Sequence, residues 1–232
     1  MRLKRDGAYG DGPFAPFLMA DSCLAADALD RHGVAGAAQG LQRIGSAGRA
    51  AGRVVTVQLV PVGLSQANTR SHLGTAAISS AGVGDVIVVA NRGDVSAAAW
   101  GGLLGRAAIL KGVVGIVIDG AVRDVDELQE IGLPVFARGV APRSARGRFV
   151  EIATQVPVEI SGIAVKPGDW VVADGSGVVF IPDLELHSVG RHLVELMEAE
   201  DQFRSQIDKG EPSERVLDRR YENLARPPHA HD

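Results

Sequence analysis

The chain has 232 residues, 46% hydrophobic and 22% charged, which is enough apolar material for the core of one large domain or two small ones. A formal net charge of −4 argues against a general nucleic-acid binder, which needs a basic excess. No apolar run approaches the roughly eighteen residues that span a bilayer, and the single cysteine, Cys23, excludes an internal disulfide.

A soluble, cytoplasmic protein is the simplest expectation. Residues 1–52 would form an N-terminal helical lead-in, 53–182 an α/β core, and 183–232 a C-terminal helix and tail. Residues 1–13 carry three glycines and a proline and read as loose. Phe14 to Leu29 places Phe17, Leu18, Leu24, Ala25, Ala28 and Leu29 at helical spacing, with Asp21 and Asp27 outward, and His32-Gly33 ends the run. The glycine-dotted stretch to Gly52 predicts loop with at most a turn or short strand. Arg53 to Val60 predicts a strand stopped by Pro61. Asn68 to Ser80 predicts a helix with His72 near its start, either a catalytic group or, more simply, a polar packing residue.

Gly84-Asp-Val-Ile-Val-Val-Ala90 and Gly168-Asp-Trp-Val-Val-Ala173 echo one another as turn, aspartate and apolar strand. They predict matching strands in two halves of one core, the second entered through a type II turn at Lys166-Pro-Gly-Asp169. Leu103 to Lys111 predicts a short buried helix closed by Gly112. Val113 to Ile118, mostly β-branched, predicts a strand covered on both faces. A helix from Asp124 to Ile131, a short strand Val135–Ala137 and β-rich alternation from Phe149 to Ile163 follow, with Pro157 pointing to an edge. Val178–Ile181 reads as a last strand. Leu184 to Ile207 predicts a helix turning Leu186, Val189, Leu193, Leu196 and Met197 inward. The charged tail beyond it is expected to wrap a neighbour or stay without order.

Arg123-Asp124 therefore lies just past the C-terminal end of a buried strand, where open α/β sheets hold ligands. Gly101 and Gly102 open the preceding helix, and residues without Cβ let an anion approach the first free amides, those of Leu103 and Leu104. Taken alone, the glycine pair equally serves tight packing beside Trp100, and Asp124 has the spacing of a helix N-cap, with Glu127 three positions on. Arg138, Arg143, Arg146 and Arg148 make a basic patch. It suits either a solvated or subunit-contacting loop or a clamp for a carboxylate.

Trp100-Gly-Gly-Leu-Leu104, Gly112-Val-Val-Gly-Ile-Val-Ile-Asp-Gly-Ala-Val-Arg-Asp124 and Val165-Lys-Pro-Gly-Asp-Trp-Val-Val-Ala-Asp-Gly-Ser-Gly-Val-Val-Phe-Ile-Pro182 resemble the class II pyruvate aldolases and the related ribonuclease-activity regulators. These aldolases act on 4-hydroxy-4-methyl-2-oxoglutarate and 4-carboxy-4-hydroxy-2-oxoadipate. The resemblance, from about Gln58 to Pro182, implies a single-domain three-layer β/β/α swivelling fold and a trimer or hexamer with sites between subunits. It also implies that Gly101, Gly102, Leu103, Leu104 and Arg123 bind the pyruvoyl part of a substrate and that Asp124 holds a divalent metal. The aldolases carry an acidic residue where this chain has Gly102, as the regulators do not.

The chain's four lysines, Lys4, Lys111, Lys166 and Lys209, all fall in turns, helix ends or tails, so a metal acting as Lewis acid is the better route to an enolate than a Schiff base. Magnesium suits a site with one protein carboxylate, and manganese is the alternative. The expectation is a lyase that releases pyruvate from a 4-hydroxy-2-oxo diacid and also decarboxylates oxaloacetate, with no nucleic-acid or membrane partner. A neighbour's C-terminal helix could add Glu195, Glu198 or Glu200. The alternative is a non-enzymatic ring-shaped regulator of a ribonuclease or another protein.

Overall fold

The computed structural model describes residues 14–64 and 72–218, together with residues 221 and 224. In chain order its elements are α1 (Ala15–Met19), α2 (Ser22–Asp30), β1 (Ala37–Ala38), β2 (Gln42–Arg43), β3 (Ala50–Pro61), α3 (Thr75–Ser80), β4 (Val86–Trp100), α4 (Gly102–Lys111), β5 (Gly115–Val122), α5 (Val125–Glu130), β6 (Val135–Val140), β7 (Phe149–Thr154), β8 (Val158–Ile160), β9 (Ile163–Val165), β10 (Trp170–Ala173), β11 (Val178–Ile181), α6 (Leu186–Asp208) and α7 (Ser213–Val216).

The runs of Val and Ile that lack polar alternation become strands buried on both faces. β3, β4, β5 and β6 lie side by side and parallel. Along β3, residues 54–58 pair with β4 and residues 50–53 pair antiparallel with β10, so this one strand joins two sheet halves. Side chains then divide by the two-residue period of a strand. Val55, Val57, Ile87, Val89, Ile116 and Ile118 face α3, α4 and α5, where Ala77, Ala108 and Leu128 close the core. Their neighbours Val54, Val86, Val88, Val117 and Phe136 face a second β layer, meeting Val171, Ala173, Val178 and Phe180 and the β8–β9 hairpin. The far face of β10 and β11, with Trp170, Val172, Val179 and Ile181, is covered by α1, α2 and α6. The expected β/β/α layering with terminal helices holds.

The echo between the two aspartate-led strands has a common physical basis. Asp85 accepts the amide of Gly82 at 2.7 Å, and Asp169 accepts that of Lys166 at the same distance and separation. In each turn a left-handed glycine, Gly84 or Gly168, sets the chain into its strand. Both strands flank β3.

Several boundaries differ from expectation. The helix predicted over Phe14–Leu29 is two helices. Asp21 interrupts it, capping α2 through Leu24 N (2.9 Å), while Asp174 binds both the amide and hydroxyl of Ser22. The stretch expected to be loop with at most a turn or one short strand holds two short strands, Ala37–Ala38 and Gln42–Arg43, at opposite ends of the sheet. β4 continues past Ala90 to Trp100 through irregular register, because left-handed Arg92 and Gly93 kink the strand without ending it. β5 starts at Gly115 and extends to Val122. The start of the helix predicted from Asn68 falls partly outside the described residues; within them, α3 begins only at Thr75, after Gly74. The tail turns back on α6 through α7, burying Val216, and Tyr221 meets Phe203 edge-on at 5.7 Å.

The α2–α6 contact carries titratable groups. His32 Nε2 and His192 Nδ1 lie 2.5 Å apart beside the Arg31–Glu195 ion pair at 3.0 Å. Burial, then Arg31 and His32, hold the His192 imidazole below the usual histidine range, with Glu195 opposing them. A depressed histidine favours the folded state while neutral, so its contribution is intact above about pH 6.5 and is lost as pH falls toward the folded value. Thermal unfolding should therefore show a larger drop in Tm between pH 7.5 and 5.5 for the wild type than for His192→Gln.

Candidate active site

Because β4 and β5 are parallel, their C-terminal ends reach the same sheet edge, and the amide of Arg123 bonds the carbonyl of Trp100 there at 3.1 Å. The chain leaves these ends as Gly101-α4 and Arg123-Asp124-α5. Between them opens a shallow cleft that is open to solvent. Gly101, Leu103, Leu104, Arg123 and Asp124 line it, as do His72, Ser144 and Arg146.

Asp124 stands at the N-cap position of α5, but its carboxylate does not cap that helix. Its backbone is left-handed, φ 55° and ψ 44°, which turns the side chain across to the start of α4. There Oδ2 accepts the amide of Gly102 at 3.1 Å and lies 3.4 Å from Arg123 Nε. The capping reading of Asp124 is thus corrected. The carboxylate serves the neighbouring helix, and Oδ1 has no hydrogen bond or ion pair among the described residues.

The first intrahelical bond of α4 runs from Gly105 N to Gly101 O at 3.0 Å. With the Gly102 amide taken by Asp124, those of Leu103 and Leu104 are left without an intrahelical carbonyl at the positive end of the helix. The glycines do more than pack beside Trp100. A Cβ on Gly101 would sit 2.6 Å from Asp124 Oδ2 and 3.1 Å from Arg123 Cγ, and one on Gly102 would collide with the carboxylate of Glu127. Gly101 itself is extended at φ −164°, so the requirement is space and not backbone freedom. Glu127 in turn bonds Arg106 Nε at 2.5 Å. The acidic side chain that the resemblance leads one to expect at position 102 is absent, and the space beside Gly102 is filled by a glutamate from α5.

The arginine patch is not one surface. Arg138 turns inward to buried Asp119 and to Ser161 Oγ at 2.9 Å, and Arg148 donates to the carbonyls of Ser144 and Arg146. Only Arg146 of the four reaches the cleft. His72 is exposed on its rim, with Nδ1 2.9 Å from the Leu73 carbonyl. Lys111, Lys166 and Lys209 are exposed, so no buried lysine stands among the described residues. Nor do three or more His, Cys, Asp or Glu side chains converge among them in a metal-holding group. Asp124, with one oxygen unengaged and facing an open cleft, fits a magnesium-type ion that takes most of its ligands from water and substrate.

Residues 22–180 match the family model described as RraA-like, aldolase/RraA. The chain belongs to the aldolase/RraA family. The match begins well before Gln58, where the resemblance of the motifs started. A putative 4-hydroxy-4-methyl-2-oxoglutarate aldolase of Burkholderia mallei is 39% identical over 107 residues, 46% of this chain and 64% of that protein. The crystal structure of an uncharacterised protein from Pseudomonas syringae superposes with a TM-score of 0.79 at 30% identity, covering 89% of this chain and 96% of that one. Streptomyces coelicolor RraAS2, described as an unusual member of the RNase ES inhibitor RraA family, gives 0.72 at 26% identity over 85% of this chain and 98% of that one. The matches span only 32% to 64% of the length of the first curated relatives.

Both the aldolases and the RraA regulators fall in this family, so membership leaves the chemistry to the site. Glu127, which lies beside Gly102 and outside the cleft lining, is not legible in this role from the sequence, since Asp124-Val-Asp-Glu127 has the spacing of a cap and the contact to Gly102 is tertiary. Gly101→Ala should cost about 1–3 kcal/mol by forcing Asp124 and Arg123 aside. Gly102→Ala displaces only a flexible glutamate end and should lower Tm less, with no further loss when made in a Glu127→Ala background; thermal melts of the four variants check this.

Proposed function

We propose that the cleft is the active site of a divalent-metal lyase that cleaves a 4-hydroxy-2-oxo diacid, such as 4-hydroxy-4-methyl-2-oxoglutarate, to pyruvate, and that it also decarboxylates oxaloacetate. The observation that carries this reading is left-handed Asp124, whose carboxylate bridges to Gly102 and keeps one oxygen free beside Arg123. Asp124 would hold a divalent cation, magnesium or manganese, which would supply Lewis-acid chemistry when bound. Arg123 pairs with the substrate carboxylate. The amides of Leu103 and Leu104 donate to oxygen as negative charge develops on the pyruvoyl group. In aldol cleavage the 4-hydroxyl proton leaves to an ordered water, the C3–C4 bond breaks, and its electron pair passes into the pyruvate enolate, which is protonated at C3. Decarboxylation reaches the same enolate by loss of CO2 and needs no base.

The reading extends to a trimer or hexamer in which α6 of one subunit completes a neighbour's site. Glu195 is held by Arg31 and Glu200 by Arg204, each at 3.0 Å, whereas Glu198 is exposed and has no such pair among the described residues, so of these three acids it is the one left to lend. A monomer in light scattering across micromolar concentrations would count against the shared site.

A second reading, a regulator that binds a ribonuclease or another protein, is supported by Gly102 and by the likeness to RraA structures. Pyruvate release from both acids, coupled to NADH oxidation, separates the two. Wild type with Mg²⁺ or Mn²⁺ should be active, a chelator should abolish activity, and Asp124→Asn should lose roughly 10²–10³-fold, the usual cost of removing one preorganised charge-stabilising group. The variant should keep its Tm, since asparagine can still accept the Gly102 amide. No pyruvate from either acid, or a fully active Asp124→Asn, would turn the assignment to the regulator.

A further inference from the structure

The segment from Pro142 to Phe149 has a backbone fixed by hydrogen bonds at several points. Ala97, Ala145 and Phe149 form a small buried cluster beneath it. Ala98 N bonds Arg143 O at 2.8 Å, and both Arg148 N and Phe149 N bond Ala145 O, at 2.9 and 3.0 Å. Arg146 is pinned on each side: its amide donates to Ser144 Oγ at 3.2 Å, and its carbonyl accepts from Arg148 at 3.2 Å. Arg148 thus uses its charge to fix the loop. Arg146 lines the cleft, and its guanidinium has no hydrogen bond or ion pair among the described residues.

Among the described residues, the other charged side chains that line the cleft, Arg123 and Asp124, lie beside one another. The same lining includes Ala98, Ala99, Leu104 and Ala145, which can cover a hydrocarbon spacer, and the polar His72 and Ser144. An arginine in such a cleft with no carboxylate partner among the described residues is open to an anion from outside. Its planar fork matches a carboxylate bidentately. Because the backbone is already held, closing on the ligand orders only one side chain.

We propose that Arg146 reads the far end of the substrate by pairing with its second carboxylate, so that the cleft selects dicarboxylic 2-oxo acids over monocarboxylic ones of the same length. This rests on the pyruvoyl reading of Arg123 and Asp124. It adds the residue that sets the substrate class.

The test uses two stable five-carbon ligands that differ only at the far end, 2-oxoglutarate and 2-oxopentanoate, titrated calorimetrically into the full chain with Mg²⁺ present. Wild type should bind 2-oxoglutarate roughly tenfold to a hundredfold more tightly, the range of a hydrogen bond to a charged group. Arg146→Ala should erase that preference while leaving the Kd for 2-oxopentanoate unchanged. Arg143→Ala removes the same charge from an exposed neighbour outside the cleft lining and should keep the preference. Equal wild-type affinities, a parallel loss of both ligands in Arg146→Ala, or a preference erased by Arg143→Ala would each overturn the role of Arg146. Wild type that binds neither acid would instead overturn the pyruvoyl reading itself, before any variant is made.

Discussion

The carboxylate of Asp124 on the amide of Gly102 is the contact around which this end of the molecule is arranged. It joins the end of β5 to the start of α4, and its two consequences follow from geometry. The first is that one of the orphan amides of α4 is satisfied by protein and the next two have no intrahelical carbonyl. The second is that Asp124 must adopt a left-handed backbone, which costs an ordinary L-residue about 1–2 kcal/mol. A carboxylate near a helix N-terminus recovers about 0.3–1 kcal/mol from the dipole. The local balance is therefore close to neutral or unfavourable, and the surrounding sheet maintains the conformation. Such a residue at the mouth of a cleft marks function more than stability.

Gly101 and Gly102 belong to the same constraint. Each leaves space for a carboxylate approaching from the Asp124–Glu127 segment, one for Asp124 and the other for Glu127. The departure from the aldolase pattern at position 102 is thus not a void. A second acid reaches the same place from a different helix and is held there by Arg106. The basic patch shows the converse, since four arginines that look alike in sequence take up different work: Arg138 neutralises an aspartate buried in the core, and Arg148 ties together carbonyls of its own loop.

The terminal helices serve the second β layer. Without α1, α2 and α6, the outer side of β10 and β11 would expose Trp170, Val172, Val179 and Ile181. Burying one such side chain is worth about 1.5–3 kcal/mol, so this face governs whether the second layer stays in place. That layer in turn presses Val171, Ala173, Val178 and Phe180 onto the parallel strands that deliver the site.

Much of this was legible in the chain itself. Unbroken β-branched runs announce strands covered on both sides, Gly112 closes α4 in the left-handed conformation, and the aspartate-led echo marks two equivalent strand entries. Arg123-Asp124 beyond a buried strand points to the cleft that both residues line, because strand ends and local capping chemistry are properties of short segments. What the sequence could not contain is which of two locally equal options the side chains take. Asp124 could cap α5 or reach α4; Glu127 could cap or fill the space at Gly102; Arg138 and Arg146 could both face solvent. Those choices depend on groups brought near only when β4, β5 and β6 align in parallel, 22 residues apart for Asp124 and Gly102 across β4 and β5 and 19 for Arg138 and Asp119 across β5 and β6. Spacing along the chain carries no information about such pairs; the tertiary structure decides them by steric room and unpaired charge.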